Sequence, residues 1–362
     1  ASVLWSMASP ARSMTTRSLL NVLLMLGVCV PPALYVAALR HRCQGTETRG
    51  GGTALDLARS WFAALPASGS PVECEVYLAR PRLFVNLLYF VVVDVGFYVI
   101  YLLQGSTWLI DPHWQLIPVC IALFFFSHPD SSSSTGRHPR AYLSLGLLLA
   151  WAGRLFHNYL RREGWQFGDR EDWRYADIRR KHGRMFVISQ FFVVSLAQHG
   201  MLVGLTMPLQ PAMASSGAAL NAYDLFASLV CATGFCVSLV ADNQLFAYMG
   251  QAERPPLLET GLWRYSRHPN HFGEQTWWIG LLCFAVAAEG GALAFASCGA
   301  HCWAVAFGVC FNHPIDTLAT LPLIEGRMLG RPERAALYRA YQMRTSLIVP
   351  WRVGRDKAGK AA

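Results

Sequence analysis

Eight stretches of this chain, residues 18–39, 83–103, 107–127, 141–157, 185–206, 220–241, 275–294 and 296–312, are apolar over lengths close to the roughly 20 residues that cross a hydrocarbon core. In lipid every backbone N–H and C=O must be bonded internally, and a helix does this within a single segment. The expected fold is therefore all-α: a polytopic transmembrane helical bundle with seven or eight spans. Composition agrees, since 53% of the 362 residues are hydrophobic and 15% charged, which excludes an ordinary soluble domain. The net charge of +9 does not indicate nucleic acid. Its Lys and Arg residues sit in short segments beside the spans, where they set orientation.

Along the chain the expected organisation is a basic N-terminal segment (1–17), N-terminal spans (18–160), a basic cytosolic loop (161–184), C-terminal spans (185–312) and a basic tail at the membrane surface (313–362), all in one membrane domain. The first 46 residues hold no Asp or Glu. Their Arg, Ser and Thr content matches a transit segment or, more plainly, a basic cap on the first span. "ALDLARSWFAALP" reads as an interfacial helix. In the second half, basic loops (160–184, 250–268, the tail) alternate with loops lacking Lys and Arg (207–219, 289–297), which places the basic ones on one face, the cytosolic one. The first half does not follow the same alternation. The ten cysteines form no closed zinc pattern and read as small buried apolar residues.

The most informative stretch is "GLWRYSRHPNHFGEQTWWIG", residues 261–280. Ionisable groups at membrane depth are costly unless they pair or line a cavity. His271, Asn270 and Glu274 fall on one helical face, and Arg267 and His268 precede a helix N-terminus whose N–H groups favour anions. Two readings stand side by side: a phosphate-bearing cofactor site, or a basic anchor at the headgroups with Trp263, Tyr265, Trp277 and Trp278 as an aromatic belt. His268 and His271 give one HxxH, too little for a di-iron site, and no metal is expected.

"RYSRHPNHFGE" also resembles the signature of steroid 5-alpha reductase-like membrane proteins of the domain-of-unknown-function 1295 type, with sterol C14 reductases as more distant relatives. Three further stretches resemble the same family in the same order: "REDWRYADIRRKHG" (170–183), "VADNQLFAYM" (240–249), and "LIEGRML" with "YRAYQMRTSLIVPW" (323–351). The resemblance covers about 105–351. It implies NADPH enclosed by the last spans and the tail, with Asp242, Arg267, His268, Asn270 and Glu274 around it and Arg327, Tyr341 and Arg344 closing over it. Carboxylates and amides suit ribose and carboxamide, and arginines suit phosphate. Two departures weaken that expectation: His271 stands where the family has Tyr, and Met249 where relatives place an Arg.

Reduction of a carbon–carbon double bond needs a hydride and a proton, and the N-terminal half is expected to supply the lipid or sterol-like substrate pocket and the proton donor. Asp111, with Trp114, resembles the family's Asp and Trp pair at the start of a span. "WAGRLFHNYLRR" offers Arg154, His157 and Tyr159, with Tyr159 as acid or as interfacial anchor. Asp94 is a functional candidate by its cost in lipid, or pairs with Gln190, Gln198 or His199. The rival classes are a non-catalytic subunit that keeps the fold within a larger membrane complex, and an S-adenosylmethionine-dependent methyltransferase resembling isoprenylcysteine carboxyl methyltransferase. Asn after Pro, Glu after Gly and "IEGRML" in the tail argue against the latter. The expected location is the endoplasmic reticulum membrane, with a mitochondrial or plastid membrane as the alternative.

Overall fold

The chain is all-α, and only a two-residue hairpin, Ser132–Ser133 with Gly136–Arg137, interrupts helices and turns among the described residues. These are residues 14–44, 53, 57, 71–133, 136–214 and 219–351 of a computed structural model. Most of the segment expected as an interfacial helix, and most of residues 1–17, lie outside them. The structure divides into two compact units, Ala11–Leu220 and Asn221–Ala362. The stretch 185–206, grouped by sequence with the C-terminal spans, belongs to the first.

The first unit holds α1 (Thr16–Arg42), α2 (Pro71–Ala79), α3 (Pro81–Gln104), α4 (Ile110–Ser127), α5 (Pro139–Arg162), α6 (Trp173–Thr206) and α7 (Leu209–Met213). Their ends follow local chemistry. The Thr15 hydroxyl caps α1 by accepting from the Ser18 N–H, Gly105 closes α3 in the left-handed region, and Pro139 opens α5, which ends on Arg161 and Arg162. Pro31 and Pro32 lie inside α1 without ending it.

Two π turns interrupt these helices, Phe90–Asp94 in α3 and Gln190–Leu196 in α6. Asp94 closes the first of them. It is buried, 2.6 Å from His199 Nδ1 and 3.8 Å from His113 Nε2, so it pairs with one of the partners anticipated for it.

The second unit holds α8 (Ala222–Met249), α9 (Pro269–Ala288), α10 (Ala292–Ser297), α11 (Ala300–Ile315), α12 (Leu321–Leu329) and α13 (Pro332–Arg344). A capping box at Asn221 and Asp224 starts α8. Its face Ala227, Cys231, Gly234, Ser238 and Ala241 repeats at helical spacing with small residues only, and it runs antiparallel against Gly273, Trp277 and Gly280 of α9. A Cβ on Gly234 would sit 2.5 Å from the Trp277 nitrogen, and one on Gly280 would sit 2.5 Å from Cys231 Sγ. This is the small-residue packing that substitutes, in lipid, for a hydrophobic driving force between helices.

Among the described residues, five helices are long and apolar enough to cross a membrane: Thr16–Arg42, Pro81–Gln104, Ile110–Ser127, Trp173–Thr206 and Ala222–Met249. The other predicted stretches fall within or across α5, α9, α10 and α11.

The cysteines require a correction. Cys43 and Cys74 form a disulfide that ties the end of α1 to the start of α2, and Cys298 and Cys302 are also bridged. Cys236 and Cys310 are exposed, so buried apolar filling describes Cys231 but not the set. A pair separated by 31 residues and a span end carries no local pattern.

Candidate functional site

In the second unit, two of the four motif stretches converge on one carboxylate. Glu325, in α12, accepts from Arg267 Nε at 2.6 Å, from Arg267 Nη2 at 3.4 Å, from the Gln342 amide at 2.7 Å and from the Tyr338 hydroxyl at 3.1 Å, with His268 Nε2 at 3.3 Å. The rest of the Arg267 guanidinium donates to the carbonyls of Gln342 and Thr345. Burial alone would raise the Glu325 pKa, but the bonds from His268, Arg267 and Gln342 outweigh it and pull it down to about 2. Burial, reinforced by the charges of Arg267 and His271, lowers that of His268 against the opposing pull of Glu325.

The tail is stitched to the loop before α9 by backbone as well. The Arg267 N–H donates to Ser346 O, the Trp351 N–H to Tyr265 O, and the Ser266 hydroxyl to Ile348 O. Tyr341, buried, donates its hydroxyl to the carbonyl of Trp263, whose indole N–H donates in turn to Ala241 O of α8. Gln244 Oε1 receives the Leu262 N–H. The polar groups of 240–249, 261–274 and 323–351 thus form one assembly.

Each residue expected at the cofactor has a definite place in it. Arg267, His268 and Tyr341 are structural members of the network, and four of the five Arg267 N–H groups are engaged by Glu325, Gln342 and Thr345. Arg344 is exposed and paired with Glu259. Asp242, Glu274 and Arg327 are half-buried. Asn270 lends its carbonyl to the Ser238 hydroxyl at 3.0 Å, while its side-chain Oδ1 is buried with no hydrogen-bond partner. An orphaned acceptor sharing a helical face with a half-buried carboxylate, Glu274, fits the hydroxyl- and amide-bearing part of a dinucleotide. Two further cations went unremarked in the sequence: Arg331, the N-cap of α13, and Arg334 in its first turn are half-buried and make no ion pair among the described residues. Their spacing with Tyr338 and Tyr341 on one helical face is the signal that singles them out.

The two departures from the family pattern also have places. His271 Nδ1 lies 2.9 Å from Asp316 Oδ2, which also accepts from Gln275 at 3.0 Å. The Arg254 guanidinium reaches the Met249 carbonyl and sulfur, so a positive charge stands beside the position where relatives carry Arg.

In the first unit, Asp111 receives Arg162 at 2.7 Å, and the Arg162 guanidinium lies 5.8 Å from the centre of the Tyr159 ring. Glu163 binds both Arg162 and Arg170. Tyr159 is buried, and its hydroxyl accepts the Gly168 N–H at 3.2 Å. Gly168 has φ +65°, and a Cβ there would sit 2.4 Å from the Trp108 ring, so the loop can close over Tyr159 only with glycine. His157 is exposed on the opposite face of α5 and stacks near Trp165, so the structure separates it from Tyr159 and Asp111. Residues two apart on a helix face away from each other, which excludes the pair from one site. Arg154 is buried.

The fold and these two polar assemblies define a polytopic helical membrane protein whose C-terminal motifs close on one another. Comparison with protein families places it further: the family model described as a protein of unknown function, DUF1295, matches residues 97–345, and the chain belongs to that family. It is similar to an uncharacterized protein of Schizosaccharomyces pombe, 27% identical over 206 residues that cover 51% of this chain and 59% of that protein. No solved structure matches.

Proposed function

We propose that the protein reduces a carbon–carbon double bond of a steroid-like or other lipid substrate within the membrane, using NADPH. The observation that carries this reading is that 261–274 and 323–351 close on Glu325 and are bonded to 240–249 through Ala241 and Gln244, while Asn270 Oδ1 stays buried and unpartnered on the helical face it shares with Glu274. In this reading Asn270, Asp242 and Glu274 hold the ribose and carboxamide, and Arg331 and Arg334 meet the phosphates. Arg267 and His268 keep the tail in place through Glu325. NADPH, when bound, supplies the hydride.

The proton comes from this chain. The Tyr159 hydroxyl accepts from Gly168, and its own hydrogen has no acceptor among the described residues, so it is available to a substrate carbonyl or developing enolate. Arg162, held by Asp111, lies over the ring and favours the phenolate left behind.

Location and topology belong to the same proposal. Counting α5, α9 and α11 with the five apolar helices gives eight spans. Disulfides persist in oxidising compartments. Cys43–Cys74 marks one end of the first unit, and the basic segment 161–184 lies at the other, where Gln166 accepts from the Thr15 N–H at the start of α1. This supports a membrane of the endoplasmic reticulum with the basic end cytosolic.

One observation favours the non-catalytic alternative, in which the chain is a subunit of a membrane complex: the central arginine, Arg267, gives four of its five N–H groups to the protein. The deciding experiment is purification in a mild detergent, thermal unfolding with NADPH, NADH and S-adenosylmethionine, and turnover of unsaturated sterol and lipid substrates followed at the NADPH absorbance. Stabilisation by NADPH over NADH with substrate-dependent oxidation supports the reductase. Stabilisation by S-adenosylmethionine alone supports the methyltransferase, and indifference to all three supports the subunit.

A further inference from the structure

Away from both polar assemblies, the first unit contains a cavity of about 450 Å³ between the last three turns of α1 and the last two of α4. Its size lies within the range of small-molecule sites. One wall is apolar: Val36, Leu123 and Phe124 line it, and Leu123 is exposed on the side that faces lipid in the membrane reading. Its other end is polar, rimmed by Arg40, His41 and Gln44 where α1 leaves the membrane. None of its described lining residues is acidic.

The charge at the rim has no counterpart among the described residues. Arg40 is half-buried and makes no ion pair among the described residues. A half-buried guanidinium with no ion pair is costly unless a ligand satisfies it. The rim is also held in place, because the Cys43–Cys74 disulfide follows Arg40 by three residues and ties this end of α1 to the helix carrying Tyr77. An apolar trough open to lipid that ends on a pinned cation with no ion pair among the described residues matches one class of ligand, an amphiphile with a hydrocarbon chain and an anionic head.

We propose that this cavity is a binding site for an anionic lipid, its acyl chain along Val36, Leu123 and Phe124 and its carboxylate or phosphate on Arg40. The cavity and the Asp111–Arg162 pair lie at opposite ends of α4, so the site is separate from the proposed reaction centre and stands independently of the reductase reading.

The test uses the full-length protein in phosphatidylcholine nanodiscs with a trace of a diazirine-bearing C16 fatty acid, or of the corresponding C16 alcohol, followed by photolysis and peptide mapping. The acid is expected to label 33–44 and 120–127 about tenfold more than the alcohol, from the strength of one charge-assisted bond. Arg40→Gln should bring the acid down to the level of the alcohol, Arg40→Lys should retain most of the labelling, and Leu123→Trp should remove it for both probes. Arg42→Gln, one turn edge away and outside the lining, should change nothing. Thermal unfolding reports whether each variant folds. Should Arg40→Gln fail to fold, the acid-to-alcohol ratio in the unaltered protein and Arg40→Lys decide. Equal labelling by acid and alcohol, labelling spread evenly over all lipid-facing helices, or displacement of the acid by millimolar inorganic phosphate would each overturn the proposal, the last by showing a free-anion site.

Discussion

Replacing Glu325 by Gln tests the centre of the C-terminal assembly. The carboxylate accepts from three side chains at bond lengths of 3.1 Å or less, with His268 at 3.3 Å, and its side chain is 12% exposed. A carboxyl held at about 2 against an ordinary 4.5 contributes about 3 kcal/mol to folding at neutral pH. Because the folded-state value is depressed, that contribution is complete above the unfolded value and is lost as pH falls from about 4.5 through about 2. Glu325→Gln removes the charge at every pH and turns an amide donor toward Arg267 and His268, so at pH 7 it should cost about 3 kcal/mol. By pH 3 the difference from the unaltered protein should shrink to about half, since the unfolded chain's carboxyl is then protonated while the native one is still largely ionised. Unfolding followed by tryptophan fluorescence in detergent at pH 7, 5 and 3 measures the gap. A gap that is constant over this range would show that ionised Glu325 does not hold the tail, and a gap that widens toward acid would reverse the sign of the argument.

Four further outcomes are expected. Gly273→Ala would place a Cβ 2.6 Å from the Gly234 carbonyl oxygen and 2.6 Å from the Ser238 nitrogen, backbone atoms that cannot step aside, so it should destabilise by about 1–3 kcal/mol, whereas Gly153→Ala, with open space around it, should be neutral or slightly stabilising in the same melting assay. Cys43→Ser should abolish the mobility difference between reduced and oxidised protein on a gel for this bridge and cost about 2–4 kcal/mol. Tyr159→Phe should lower kcat by about 10²-fold or more while leaving NADPH stabilisation intact, a split seen by combining turnover with thermal shift. Arg334→Gln should weaken NADPH binding about tenfold without lowering stability, whereas Arg267→Ala should lower stability first.

How far the candidate sites were legible depends on how local their signals are. The motif around 261–280 announced a polar assembly at the end of a span, because two arginines, two histidines, an asparagine and a glutamate in so short an apolar context must be paired or face a cavity. What the motif did not reveal is which group would satisfy which. Arg267 reads as a phosphate ligand beside a helix N-terminus, yet its guanidinium closes on Glu325 and two tail carbonyls nearly 60 and 80 residues away. His157 and Tyr159 read as neighbours because they are adjacent in sequence, and the 100° step of a helix sets them on opposite faces. Arg331 and Arg334 were visible as basic residues but gained meaning only when Arg267 and Arg344 proved to be occupied.

The sequence by itself determined the class of the molecule. Backbone hydrogen bonding in lipid leaves long apolar segments one conformation, so their lengths specify helices, and small residues at every third or fourth place along 227–241 specify a close helix contact. The tertiary structure alone decided the pairings: Asp94 with His199, Cys43 with Cys74, Glu325 with Arg267 and His268, and the cavity that Arg40 rims. A helix propensity is settled within a few residues, whereas the partner of a buried charge depends on which segments, far apart along the chain, are brought within about 3 Å.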